Sequence, residues 1–85
     1  MKRKKRIDNI LQNRFNFLSI EVEDISMLHQ GHNNFNGKDE THIKITLQSK
    51  NIKSLNKLSI HQKINQLLEK EFLNGLHALE IKFSH

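Results

Sequence analysis

The sequence predicts a single α+β domain: a two-layer α-β-β-α-α-β sandwich in which a three-stranded sheet carries helices on one face. Three observations lead there. Three short segments alternate apolar and polar residues, the period of a half-buried strand. Two segments repeat apolar residues every three or four positions, the period of an amphipathic helix. The length of 85 residues supplies one marginal core and no second domain.

The first helix is predicted over 4–14, where Ile7, Ile10 and Leu11 lead to Phe15 one turn on. Leu18, Ile20 and Val22 then alternate with Ser19, Glu21 and Glu23, a strand with a polar outer face. Residues 24–39 show no period and are rich in Asn, Gly and Asp, which predicts a loop. Thr41, Ile43, Ile45 and Leu47 alternate with His42, Lys44 and Thr46 to make the second strand. Ile52 and Leu55 predict a short, weak helical turn over 50–57. Ser59 and Gln62 fit a capping box that opens the clearest helix, with Ile60, Ile64, Leu67, Leu68 and Phe72 as its apolar stripe. Gly75 can take the left-handed conformation that stops it. His77, Leu79, Ile81 and Phe83 share one face of the third strand. Helical material between the second and third strands allows parallel or mixed pairing.

Fourteen Lys and Arg against nine Asp and Glu give a net charge of +5. Lys2, Arg3, Lys4, Lys5 and Arg6 hold all of that excess, because cations and acids balance from Ile7 onward. The domain is therefore expected to span 1–85 with 1–6 as a flexible basic arm, either touching phosphates or simply solvated. The arm is not followed by an apolar stretch, so a secretory signal is not expected. No run of about 18 apolar residues exists to form a spanning helix. There is no cysteine, which excludes disulfides, Cys-based zinc sites and an iron–sulfur cluster held by this chain's own thiolates. A reducing, cytoplasmic setting is expected.

Six histidines stand out: His29, His32, His42, His61, His77 and His85. A neutral imidazole is a metal ligand. His29 and His32, three apart in the long loop, can face one metal if the chain turns. His77 follows the helix stop at the mouth of the last strand, where it either ligates or caps helix carbonyls. His61 is expected on the rim of the apolar stripe in a packed role, and His42 on the surface. The serines lack an elbow motif and the three glycines are too scattered to cradle a phosphate, so no enzyme is expected.

Four segments resemble the BolA family: Glu21-Val22-Glu23-Asp24 with Ser26 and His29, Gly37-Lys38-Asp39-Glu40-Thr41-His42-Ile43, Leu58-Ser59-Ile60-His61-Gln62, and Gly75-Leu76-His77-Ala78-Leu79. The likeness runs over about residues 4–83, in order. It implies a fold similar to class II KH domains. It also implies a monothiol glutaredoxin partner and a shared [2Fe–2S] cluster used in iron–sulfur trafficking or iron sensing. The family's C-terminal histidine matches His77. A second ligand comes from the loop, and with no cysteine here this chain is of the histidine type, His29 being favoured and His32 kept open. Glutaredoxin and glutathione would supply the thiolates, with no cofactor expected in the isolated chain, a monomer or weak homodimer.

The competing expectation is DNA binding, as in BolA-like transcriptional regulators. KH domains clamp single strands with a GXXG loop, yet the matching stretch Ser54–Ser59 has no glycine, and Ile60 and Gln62 stand where relatives carry arginines around the histidine. Lys53, Lys57 and Lys63 form a modest basic patch expected beside the Lys2–Arg6 arm.

Overall fold

The computed structural model describes residues 2–26, 41–49 and 56–84. Its elements are α1 (Arg3–Arg14), β1 (Ser19–Asp24), β2 (His42–Gln48), α2 (Lys57–Leu67), α3 (Glu69–Leu73) and β3 (Ala78–Ser84). The element order matches the expectation, but the two consecutive helices are not the predicted pair. The turn predicted over 50–57 lies outside the described residues except at its end, where Lys57 already opens α2. The stretch expected as one helix is instead divided at Leu68 into α2 and α3.

The start of α2 also differs. Asn56 caps it, its side-chain oxygen accepting a hydrogen bond from the Ser59 backbone N–H at 3.0 Å. Ser59 therefore lies inside the first turn, and the capping box at Ser59 and Gln62 is not the one used. An asparagine three residues ahead satisfies the same orphan donor by the same physics.

Ile7 and Leu11 of α1 are fully buried, as are Ile43, Ile45 and Leu47 of β2 and Ile64 and Leu68 of the α2–α3 segment. Each such side chain contributes about 1.5–3 kcal/mol relative to exposure. Phe72, predicted to close the apolar stripe, is 37% exposed, while Glu71 is buried. At about 100° per residue, position 71 returns to within about 20° of Ile60, whereas position 72 has drifted about 120° away. A charged residue thus occupies the inward position.

The sheet order is β1-β2-β3. β1 runs antiparallel to β2, from Ser19↔Gln48 to Asp24↔Ile43. β3 runs parallel to β2, from His42↔Ala78 to Gln48↔Ser84. The mixed sheet packs one face against the helices. Its other face carries cross-strand polar rows, Glu23–Lys44–Glu80 and Glu21–Thr46–Lys82.

Of the residues expected as a flexible arm, 3–6 form the first turn of α1. Arg3 and Arg6 both bind Glu71, at 3.0 and 2.8 Å. Two guanidiniums meeting a buried carboxylate hold the turn against α3.

Candidate functional site

The topology gathers three chain segments at one end of the sheet. β1 ends there because it is antiparallel to β2, and β3 starts there because it is parallel to β2. The long loop between β1 and β2 therefore springs from the same end as His77.

The base of this end is a hydrogen-bond hub at Ser26, which is 1% exposed. The Ser26 hydroxyl donates to Asp24 Oδ1 at 2.6 Å, and its backbone N–H donates to the same oxygen at 3.0 Å. Ser26 Oγ accepts from the backbone N–H of Thr41 at 2.9 Å and of His42 at 3.1 Å. One donor and two lone pairs are then in use, the capacity of a hydroxyl. The hub pins the start of β2 to the end of β1.

Thr41 carries the connection onward. Its carbonyl accepts the backbone N–H of His77 at 2.8 Å and of Ala78 at 3.2 Å. Thr41 Oγ1 lies 3.0 Å from His42 Nδ1. The ring of His42 meets that of His77 edge-to-face, with centroids 5.8 Å apart and planes at 79°.

The other support of His77 is the turn before it. Gly75 has φ +117°, a conformation that side-chain-bearing residues rarely adopt. Arg3 Nη2 donates to the Asn74 carbonyl at 2.6 Å, and the Leu76 N–H donates to the Glu71 carbonyl at 2.9 Å. Glu71 in turn accepts from Arg6 Nε and Nη2, each at 2.8 Å, and from Arg3 Nε at 3.0 Å. These bonds hold its carboxyl below the ordinary carboxylate range. Arg6 makes the largest contribution, Arg3 assists, and burial opposes both.

His77 itself is exposed, one residue ahead of β3. The alternation that groups it with Leu79, Ile81 and Phe83 stops short of it. Its ring instead packs on His42, which lies on the face of β2 opposite Ile43, Ile45 and Leu47. His42 is half-buried, more enclosed than the surface position expected. His61 is exposed rather than packed, with Asn65 Nδ2 3.1 Å from its Nδ1. His29, His32, His85 and Lys53 lie outside the described residues.

Of the basic residues expected as a patch, those described lie on two helices, Lys57 and Lys63 on α2 and Lys2 through Arg6 at the start of α1. Lys57 starts α2, its Nζ 5.9 Å from the ring centre of Phe83. Lys63 is half-buried on α2. Lys2, Lys4 and Lys5 line an open groove with Asp8, Ile20 and Glu21. The roles of Ser26, Glu71 and the His42–His77 pairing were not read from the sequence. Position 71 was available from helical angles, but the pairing depends on strand direction.

The BolA-like protein family model matches residues 11–85. Protein BOLA1, chloroplastic, of Arabidopsis thaliana is 35% identical over 81 residues, 93% of this chain and 51% of that protein. The chain thus spans about half the length of that relative. The DNA-binding transcriptional regulator BolA of Haemophilus influenzae is 32% identical over 75 residues, 88% of this chain and 69% of that one. The solved BolA domain of SufE1 from Arabidopsis thaliana superposes with a TM-score of 0.77 at 32% identity, covering 99% of this chain and 92% of the other.

Proposed function

The chain belongs to the BolA-like family, and from that premise we propose that it is a non-enzymatic partner of a monothiol glutaredoxin. In this reading the two proteins share a [2Fe–2S] cluster for iron–sulfur trafficking or iron sensing, in a reducing compartment such as the cytoplasm. The observation that carries it is the exposed imidazole of His77, whose backbone N–H is held by the Thr41 carbonyl at the end of the sheet from which the β1–β2 loop springs.

The donor set fits. The exposed imidazole of His77, in a chain with no cysteine, suits a cluster whose thiolates come from glutaredoxin and glutathione. Neutral nitrogen ligands make such a cluster less negative and raise its potential. His77 would hold one position. The second would fall to His29, with His32 as the alternative. Ligation requires unprotonated imidazole, so the complex weakens on acidification.

Visible circular dichroism of cluster-loaded glutaredoxin titrated with the apo protein tests the proposal. A changed spectrum is expected for the wild type, and its loss for His77→Ala. The same change with His77→Ala, or none with the wild type, rejects it. His29→Ala and His32→Ala in parallel assign the loop ligand.

A second reading, DNA binding, is favoured by the name of the Haemophilus influenzae relative. The charges support it less. Arg3 and Arg6 serve Glu71, and the open sheet face sets Glu21, Glu23 and Glu80 against Lys44 and Lys82. The triple variant Lys2→Ala, Lys4→Ala, Lys5→Ala should shallow the salt dependence of any DNA binding. An unchanged slope would move that contact elsewhere.

A further inference from the structure

We propose that His42 is a positioning residue for His77, setting the direction in which the exposed imidazole is presented. The inference rests on the cluster-partner reading and adds to it a residue that touches the ligand through another side chain.

Two attachments carry it. The first is main-chain: the Thr41 carbonyl accepts the His77 N–H at 2.8 Å. This fixes where the residue begins but leaves its two side-chain torsions open. The second is the ring contact with His42, centroids 5.8 Å apart and planes at 79°, the edge-to-face geometry that aromatic rings prefer. A contact can orient a neighbour only if it is itself held. His42 is half-buried, its backbone N–H donates to buried Ser26 Oγ at 3.1 Å, and its Nδ1 lies 3.0 Å from Thr41 Oγ1. The Ser26 hydroxyl is committed to Asp24, and its lone pairs are taken by two backbone N–H groups. Thr41 Oγ1 lies 3.0 Å from His42 Nδ1 and 3.4 Å from Ser26 Oγ, so this hydroxyl bridges the hub to the ring and restrains its rotation. The order of rigidity therefore runs Asp24, Ser26, Thr41, His42, His77, from a half-buried carboxylate through the buried Ser26 to an exposed imidazole.

An imidazole already oriented loses less freedom on ligation. Releasing one side chain from that restraint should weaken assembly roughly 3- to 10-fold.

The test uses the full chain with three readouts: a urea melt, the ring-current displacement of the His77 Hδ2 and Hε1 proton resonances in the free protein, and affinity for cluster-loaded glutaredoxin by visible circular dichroism. His42→Ala should abolish the ring-current displacement and lower affinity roughly 3- to 10-fold. His42→Phe keeps a ring at the same place but gives up the contact with Thr41 Oγ1, so it should restore both in part. Affinity and resonances in His42→Ala identical to wild type would overturn the proposal. So would a His42→Phe variant as impaired in affinity as His42→Ala, because the imidazole would then be a ligand itself. If His42→Ala fails to fold, His42→Phe and the wild-type resonances still decide. If the wild type forms no complex, the partner reading fails, while the ring-current measurement judges the orientation by itself.

Discussion

Glu71 is the most consequential residue that the hydrophobic pattern conceals. Its carboxylate accepts three hydrogen bonds, from Arg6 Nε and Nη2 at 2.8 Å and from Arg3 Nε at 3.0 Å, and joins α1 to α3. Replacing it with alanine leaves two guanidiniums without that partner. Arg3 is 12% exposed and recovers little hydration, whereas Arg6 at 40% recovers much of it. Breaking a buried pair costs about 3–5 kcal/mol. With one partner half-exposed, about 2–4 kcal/mol is expected for Glu71→Ala. A domain of this length has roughly 4–13 kcal/mol in total, so Tm should fall by roughly 10–25 °C. The effect has a pH signature. The folded carboxyl titrates below its unfolded value of about 4.3. Its contribution is complete above that value and is lost as pH falls through the lowered folded one. The stability gap between wild type and Glu71→Ala, from urea melts at several pH values, should be full at pH 7 and shrink as pH drops below about 4. Glu71→Gln, which keeps one acceptor oxygen, should lie between them. A loss under about 0.5 kcal/mol at neutral pH, or a gap indifferent to acid, would refute this reasoning.

Further expectations concern the frame of the site. Asn56→Ala should cost about 1 kcal/mol in a chemical melt and Ser59→Ala less than half of that, since Asn56 is the cap; the reverse ranking would restore Ser59 to that role. Gly75→Ala should cost about 1–2 kcal/mol, because a Cβ at φ +117° would also stand 3.2 Å from Arg3 Nη2; an unchanged melting point would show that the turn relaxes. Ile45→Ala, at a fully buried position of the central strand, should cost about 2–5 kcal/mol, and a variant of wild-type stability would contradict the assigned core.

Reading the chain for period worked where burial follows period. Val22, Ile43, Ile45 and Leu47 are inside because alternation along a strand leaves no other choice. Charge counting could not show that Arg3 and Arg6 pair with Glu71, because a count of charges does not know where the carboxylate at position 71 will point. His42 illustrates the same gap from the other side. It was visible as an outward residue, but nothing local to it announces a neighbour 35 positions away.

The linear order of residues was enough to establish three half-buried strands, the apolar faces that cover them, the glycine stop before His77 and the likeness to the BolA family. Those features depend on local geometry and on burial along one element. The meeting of His42 with His77 depended on strand direction. Had β3 run antiparallel to β2, His77 would stand about 20 Å away at the far end of the sheet. Periodicity is the same for both directions, so only the packed chain could choose between them.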